Sequence, residues 1–198
     1  LPEDLCEELA WALDEIEAFR DKATAITARI ERLGQSLPEV AYLRTVPGIG
    51  VLTATALVAF VGQPGRFPSG RHFASYLGLT PRENSSGFRR RMGRISKRGN
   101  TYVRMLLIHG ARAALLAAHR VQEPDTLQRW VLGVELRTGH NKATVALANR
   151  LARIAWRVWK DQRPYERRFT TEPSGRGGRS THGRAAPRHL RWRTVRPA

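Results

Sequence analysis

Apolar residues at alternating spacings of four and three predict one long helix over residues 2–34. The pattern holds over about four heptads, as in the a/d seam of a coiled coil. Pro2 suits a first helical turn, and Gly34 suits a C-terminal stop. The seam consists of Leu5, Leu9, Ala12, Ile16, Phe19, Ala23, Ile26, Ile30 and Leu33.

This apolar seam needs cover from another element. A helix of this length spans on the order of 45 Å, and alone it would leave the seam in water. We therefore expect a partner helix from a second copy of the chain or from a part missing from this sequence. The alternative is an ordinary amphipathic helix that packs on the core of the same chain.

A glycine-rich segment follows, and its sequence from Val46 is Val-Pro-Gly-Ile-Gly-Val-Leu-Thr-Ala. We expect it to open a second helix that runs to about Val61. It resembles the hairpin of helix-hairpin-helix DNA binders, in which backbone N–H groups at a helix start approach a phosphate. Gly48 and Gly50 would form the tight turn, and Thr53 would lie in the first helical turn. The alternative is a plain glycine-rich connection between two packed helices.

The rest of the pattern predicts further helices and one irregular basic segment. Asn100 suits a helix N-cap, and Pro124 and Asp125 suit the start of a further helix. The predicted elements are a Gly/Pro loop at 62–70, helices at 71–77, 100–118, 124–136 and 141–160, and a short hairpin or extended basic loop at 88–96. The fold class is therefore mainly α. A long N-terminal coiled-coil helix precedes a compact helical domain with a helix-hairpin-helix-like element.

These elements predict three regions along the chain. Residues 1–36 form the coiled-coil helix, and residues 37–165 form the compact helical domain. Residues 166–198 are rich in Arg, Gly, Pro, Ser and Thr without an apolar period, which predicts a basic disordered tail. The alternative for the tail is out-of-frame translation in a high-GC genome. Because the chain begins with Leu1 rather than Met, we also expect a fragment of a longer protein.

Charge is unevenly spread over these regions. The formal net charge is +17, with −5 over residues 1–44, +15 over residues 45–160 and +7 over residues 161–198. An acidic arm on a basic body is typical of a nucleic-acid binder. The alternative is a basic housekeeping protein, such as one associated with ribosomes.

The cysteine content and the lengths of the apolar runs exclude several classes of protein. Cys6 is the single cysteine, which excludes an intramolecular disulfide framework and a cysteine zinc site, and favours a reducing compartment. The sequence has no apolar run near the roughly 18 residues of a membrane span, and no signal peptide is visible. We therefore expect no membrane partner and no metal site in this chain.

The stretch from Gly78 to Arg104 carries the candidate chemistry. A turn holds the adjacent hydroxyls of Ser85 and Ser86, and Glu83 is the only acidic residue in the stretch. The cations that follow are Arg89, Arg90, Arg91, Arg94, Lys97, Arg98 and Arg104. A nucleophile beside clustered guanidinium groups suits a polyanion whose phosphate is held or attacked.

A second set of cations lies on the last predicted helix. It forms a stripe of Lys142, Arg150, Arg153 and Arg157. Such a stripe is most often a solvated face, but the lack of acidic partners favours phosphate contact. With the glycine-rich turn and the basic stretch, Lys142 and Arg150 complete the predicted nucleic-acid contacts.

Several motifs occur in a fixed order along the chain. They are Pro-Gly-Ile-Gly-x-x-Thr-Ala at 47–54, Phe-Ala-Ser-Tyr-Leu-Gly-Leu-Thr-Pro at 73–81, Ser-Ser-Gly at 85–87, Gly-Arg-Ile-Ser-Lys-Arg-Gly-Asn at 93–100, the helix at 104–112, and the Asn-Lys-Ala-Thr to Ile-Ala-Trp run at 141–156. Together they resemble the C-terminal half of insertion-sequence-110 type transposases, the family related to the Piv and MooV DNA invertases. The resemblance covers roughly residues 1–165.

The resemblance implies a transposase domain whose serine attacks a DNA phosphodiester to give a covalent intermediate. Carried over by motif, the nucleophile is Ser86, with Ser85 as the runner-up. It also implies a RuvC-like domain whose DEDD carboxylates hold Mg²⁺. No DEDD cluster is present here, so Mg²⁺ is expected in that other, N-terminal domain and the chain is expected to be inactive alone. Whether it is an enzyme by itself stays open.

The resemblance further implies partners and a cellular place. These are DNA, a guide (bridge) RNA and a second copy through the coiled coil, in a bacterial cytoplasm and associated with the nucleoid. A serine hydroxyl needs a base or a metal to become a strong nucleophile. Glu83 and His109 are the candidate bases in this chain, and the arginines would stabilise charge that develops on the phosphate.

Two other functions remain open from the sequence. The first is a non-catalytic, basic helical module that binds DNA or RNA, or an inactive transposase fragment. It would bind with a steep salt dependence and would be indifferent to Ser86. The second is a coiled-coil interaction protein whose charge only aids solubility.

Overall fold

The fold is mainly helical, as the periodicity predicts. The computed structural model describes residues 2–86, 89 and 91–168, and within them two short strands form one antiparallel pair. The helices are α1 (Glu3–Gln35), α2 (Pro38–Arg44), α3 (Val51–Val61), α4 (Gly70–Tyr76), α5 (Thr101–Ala118), α6 (Thr126–Thr138) and α7 (His140–Asp161). The strands are β1 (Pro81–Glu83) and β2 (Met92–Ile95), and a single 3-10 turn covers Pro64–Arg66.

Helix α1 leaves the helical body near its C-terminal end. Its contacts are with α2 and α3, where Gly34 is buried beside Val40 and Val51. Further towards the N-terminus the seam is in solvent, with Phe19 60% and Ile26 59% exposed. The alternative in which α1 lies along the core of its own chain is therefore wrong. The partner helix for the seam stays a prediction.

Helix α7 is the central element of the body. It contacts α2, α4, α5 and α6, because small buried residues such as Ala148 and Ala152 let these helices approach closely. Larger side chains, among them Leu147, Leu151 and Trp159, fill the space between the contacts. The opposite face of α7 carries the cationic stripe.

The segment between α1 and α3 differs from the prediction. An unpredicted helix, α2, occupies Pro38–Arg44, and α3 begins at Val51 rather than Val46. Helix α2 has only seven residues, too few to show a helical period. The turn that joins α2 to α3 has Gly48 at a φ of +75°, in the left-handed region that glycine tolerates best.

This turn packs closely on α5. A β-carbon on Gly48 would overlap the carbonyl oxygen of Gly110, and one on Gly110 would overlap the carbonyl oxygen of Gly48. The glycine pair therefore lets the α2–α3 turn rest against the middle of α5. This packing role agrees with the plain connection between helices, whereas Gly50 is exposed at the start of α3.

The ends of α5, α6 and α7 are tied together by one carboxylate. Glu135 on α6 lies 2.8 Å from His119 Nε2, after α5, and 2.8 Å from His140 Nδ1, at the start of α7. The hydrogen bond with His140 holds the pKa of Glu135 below its ordinary value, and the charge of His119 lowers it further. Asp125 caps α6 through a capping box with Gln128.

After α7 the chain runs back over the body as far as the description extends. The Tyr165 N–H donates to Thr45 Oγ1 at 2.7 Å, and the Arg168 carbonyl accepts a hydrogen bond from the Thr126 N–H at 2.8 Å. The predicted tail lies outside the described residues from position 169 onward. None of the helices described is both long enough and apolar enough to cross a membrane.

The glycine pair generates a stability prediction. Gly110→Ala should destabilise the fold by on the order of 3 kcal/mol, because the new methyl group meets the backbone of Gly48 rather than a movable side chain. Gly133→Ala is the matched control in the middle of α6, where a β-carbon meets nothing within 4 Å. It should stabilise the fold by about 0.5–1 kcal/mol. Urea unfolding midpoints measure both, and equal shifts of the same sign would contradict the packing argument.

Candidate nucleic-acid interface

The serine stretch forms a β-hairpin, here called the serine hairpin (residues 81–95). Pro81 pairs with Ile95 and Glu83 pairs with Met92, with an irregularity between the two pairs. At the tip, the N–H groups of Ser86 and Arg89 donate to each other's carbonyl oxygens at 3.3 and 3.2 Å. The structure therefore favours the hairpin over the extended loop, and its first strand begins seven residues before the predicted start at Phe88.

The two serines have different surroundings. Ser85 Oγ donates to Glu83 Oε1 at 2.8 Å and accepts from the Arg91 N–H at 3.1 Å. The Ser85 hydroxyl therefore acts both as a donor and as an acceptor within the hairpin. Ser86 is held through its backbone, and its exposed hydroxyl makes no hydrogen bond with the residues that the structure describes. Of the two candidate bases, Glu83 lies beside the serines.

The base of the hairpin is locked between two glycines. Gly78 and Gly99 have φ values of +73° and +90°. A β-carbon on Gly78 would overlap the Arg98 carbonyl oxygen, and one on Gly99 would overlap the Tyr76 carbonyl oxygen. The Lys97 N–H donates to the Gly78 carbonyl at 3.1 Å. The two chain segments that enter and leave the hairpin are therefore in backbone contact.

Arg104, one of the predicted nucleic-acid contacts, completes this lock. Its guanidinium group is buried and donates to the Leu77 carbonyl at 3.4 Å, to the Arg98 carbonyl at 3.2 Å and to Thr101 Oγ1 at 3.2 Å. The phosphate contact predicted for Arg104 stays a prediction, and the structure gives its guanidinium group a packing role at the hairpin base. Thr53, another predicted contact, is only 6% exposed in the first turn of α3.

A groove runs between the serine hairpin, the start of α4 and the outer face of α7, and is here called the basic groove. Its cations are Arg71, Arg94, Lys97, Lys142, Arg150, Arg153 and Arg157. Gly70 allows this arrangement, because a β-carbon at this position would lie only 3.1 Å from the carbonyl oxygen of Arg153. The structure thus brings together the basic stretch and the α7 stripe, which lie far apart in sequence.

Some predicted contacts lie elsewhere. Arg89, Arg91 and Arg98 are exposed but do not line the basic groove, and Arg90 lies outside the described residues. Arg71 and Trp130 line the groove and were missed by the sequence analysis. A cation and an aromatic residue on two separate helices give no local signal of a shared site.

The groove has an apolar floor between its cations. The floor residues are Leu79, Pro81, Met92, Ile95, Ile108, Trp130, Val145, Ala146, Ile154 and Trp156. No Asp or Glu is among its described lining residues, and only Arg157 forms an ion pair, with Asp161. Arg150 lies over the ring of Trp130, with 4.3 Å between its guanidinium carbon and the ring centroid. The groove is therefore suited to an anion that also presents flat apolar surface.

One segment of the chain matches a known protein family. Residues 40–126 match the model of the transposase IS116/IS110/IS902 family. This segment belongs to that family. The match confirms the resemblance seen in the motifs and includes the α2–α3 turn, the serine hairpin and α5.

Curated relatives agree with the family match. A probable family 20 transposase of Pseudomonas aeruginosa is 39% identical over 79% of this chain and 46% of its own length. A transposase for insertion sequence element IS1111A of Coxiella burnetii is 42% identical over 62% of this chain and 33% of its length. A pilin gene-inverting protein of Moraxella lacunata is 29% identical over 79% of this chain and 49% of its own length. This chain therefore spans less than half of these relatives.

The lock at the hairpin base generates a second prediction. Arg104→Lys keeps the charge but loses the planar fork, so the fold should lose about 1–3 kcal/mol. Amide exchange should accelerate at Ser96 and Lys97, whose N–H groups bond to Thr80 and Gly78 across the hairpin base. The control is Arg112→Lys, an exposed position on the same helix, which should change stability by less than about 0.5 kcal/mol. Exchange that stays slow in Arg104→Lys would contradict the lock.

Proposed function

We propose that this chain is the serine-bearing, nucleic-acid-binding half of a transposase that acts in DNA transposition or site-specific recombination. The family match and the relatives named as transposases and pilin gene-inverting proteins support it. The observation that carries it is the serine hairpin: an exposed hydroxyl at the tip of a cationic hairpin that Arg104 and two glycines lock to the body.

In the proposed reaction, Ser86 Oγ attacks the phosphorus of a DNA phosphodiester. The Oγ–P bond forms as one P–O bond to a deoxyribose breaks, and the hydroxyl proton passes to a base. The product is a phosphodiester between Ser86 and one DNA end, while the released sugar oxygen takes up a proton. Attack by the hydroxyl of a second DNA end reverses these steps and joins the exchanged strands. Arg89 and Arg91, on the same hairpin, would hold the phosphate and stabilise its developing charge.

Ser85 is proposed to position the tip rather than to attack. Its hydroxyl already bridges Glu83 and the Arg91 backbone, and this bridge ties the first strand of the hairpin to the second. The alternative gives Ser85 the role of nucleophile with Glu83 as its base, since a carboxylate 2.8 Å from a hydroxyl can accept its proton. The two assignments differ in which serine becomes linked to DNA.

Mg²⁺ is proposed to come from elsewhere in the assembly. The hairpin offers one carboxylate, Glu83, among several cations, and this set does not fit a divalent cation that prefers several oxygen ligands. Among the described residues, no group of three or more His, Cys, Asp or Glu side chains is placed to hold a metal ion. A carboxylate-bearing domain is the proposed source, and no step is assigned to the metal here.

The other proposed partners follow from the family and from α1. The exposed seam of α1 is proposed to pair with a second copy as a coiled coil, and a bridge RNA is proposed to guide the complex to DNA. The exposed backbone at Gly50 remains a candidate phosphate contact at the start of α3. We place the complex in the cytoplasm, at the nucleoid where its DNA substrate lies.

The nucleophile assignment can be tested by trapping. In a complete protein that includes the carboxylate domain, with bridge RNA, Mg²⁺ and nicked target DNA, Ser86→Ala should remove the protein–DNA adduct and reduce strand exchange by at least about 10³-fold. DNA binding should fall by less than about twofold, since the hydroxyl makes no structural hydrogen bond among the described residues. Denaturing gels and mass spectrometry of the adduct give the measurement.

Ser85→Ala is the matched control for that experiment. It should weaken exchange only partly and leave the adduct on Ser86. An adduct that persists in Ser86→Ala and vanishes in Ser85→Ala would transfer the role to Ser85. Exchange without any adduct would leave this chain as a non-catalytic nucleic-acid-binding module.

The seam of α1 generates a further prediction. Ile16→Glu places a charge on the seam and should convert a dimer to monomers at micromolar concentration, because the like charges would face each other in a coiled coil. Leu13→Glu is the control: Leu13 is 64% exposed on the same helix but lies off the seam. Sedimentation equilibrium distinguishes the two variants. A dimer that survives Ile16→Glu and dissociates in Leu13→Glu would place the contact on another face.

A further inference from the structure

We propose that the basic groove binds an unpaired strand of nucleic acid, with the phosphates on its cationic sides and the bases on its apolar floor. This inference rests on the proposed function, because it assigns a substrate class to the surface beside the serine hairpin. It goes beyond a general affinity for DNA, since it states which form of the polymer the groove accepts.

The cations of the groove stand on two opposite sides. On one side α7 presents Lys142, Arg150 and Arg153 along a face that, to Arg157, spans about 22 Å. On the other side stand Arg71 from α4, Arg94 from the serine hairpin and Lys97, two residues after the hairpin. Within the described residues none of these six forms an ion pair. A phosphate chain between the two sides would be contacted from both.

The floor argues against a duplex as the occupant. A duplex presents its phosphates and base edges and keeps its base faces stacked inside, so it gains little from a broad apolar surface. An unpaired strand exposes those faces, and their stacking on aromatic side chains is worth about 1–3 kcal/mol per base. The floor offers the half-buried indole ring of Trp130 and the side chain of Met92, which is 47% exposed, whereas Trp156 is only 7% exposed.

The pair of Trp130 and Arg150 is the part of the floor best suited to stacking. The guanidinium group lies 4.3 Å from the ring centroid, and both side chains are half-buried. In the described part of the chain, Arg150 makes no hydrogen bond, so its donors are available to a phosphate. The two groups can therefore hold the base and the phosphate of one nucleotide together.

The groove also leads towards the serines. Pro81 and Ile95 line the groove and pair with each other at the base of the hairpin. Ser86 lies five residues after Pro81, beyond the end of β1, at a distance on the order of 16 Å for extended chain. A strand that leaves the groove along the hairpin would thus reach the tip.

The test compares single and double strands on the chain of residues 1–198. Fluorescence anisotropy would follow a labelled 20-nucleotide oligo-dT and a labelled 20-bp duplex at two or more salt concentrations. We expect the single strand to bind at least about tenfold more tightly. Met92→Ser and Trp130→Leu should each weaken single-strand binding by about 5- to 100-fold and duplex binding by less than twofold.

Variants of the cationic sides provide the contrast. Lys142→Gln and Arg153→Gln should each weaken the binding of both the single strand and the duplex. Each should also reduce the slope of log affinity against log salt concentration by about one. Arg129→Gln is the matched control, because Arg129 is exposed on α6 and does not line the groove. Met92 is largely exposed, so its substitution reports on the floor even where Trp130→Leu disturbs the fold.

Three results would overturn the proposal. The first is a duplex that binds as tightly as the single strand. The second is an equal loss of single-strand and duplex affinity in the floor variants. The third is a folded chain that binds neither form. The last result would assign the floor to another protein segment. Oligo-U in place of oligo-dT shows whether the strand is RNA or DNA. The groove is tested by strand binding to residues 1–198, and the serine chemistry by the covalent adduct of the complete protein, so failure of one is distinguishable from failure of the other.

Discussion

The side chain of Arg104 holds the serine hairpin in place, and the site depends on this contact. Its guanidinium group donates to the carbonyl of Leu77, before the hairpin, and to that of Arg98, after it. Gly78 and Gly99 let the same two segments touch through their backbones. A hairpin of two short, exposed strands is marginal by itself. The lock at its base is therefore what gives the tip a defined place relative to α5 and the basic groove.

Helix α7 contributes both to the core of the fold and to the proposed binding surface. Its inner face packs against four other helices, and its outer face forms one side of the basic groove. Gly70 brings α4 against α7, and the Asn149 side chain donates to the Leu79 carbonyl at 3.0 Å. The spacing between the two sides of the groove is thus set by core contacts. A rigid spacing favours binding of a nucleic-acid strand, because the phosphate contacts and the base contacts are then in place before the strand arrives.

The helical architecture could be predicted because its signals are local. The seam of α1, the N-cap Asn100 and the long apolar period of α7 lie within single elements. Contacts between distant segments could not be predicted. The role of Arg104 in the hairpin base is one of them, because its partner Leu77 is 27 residues away and no local pattern indicates that carbonyl. The groove was missed for the same reason, since Arg71, Trp130 and Arg150 meet only in the folded chain.

The charged groups of the site indicate which steps of the proposed reaction this chain could perform and which need groups from elsewhere. The chain supplies an exposed hydroxyl, cations that can bind phosphate, and a single carboxylate that already accepts a hydrogen bond from Ser85. Such a set can hold and orient a phosphodiester, whereas activation of the hydroxyl and of the leaving oxygen requires a further base or Lewis acid. The same chain carries α1, whose seam is in solvent. Under the proposed function, assembly through α1 would bring a base or a Lewis acid to a hairpin that is already fixed, and cleavage would then require the complete complex.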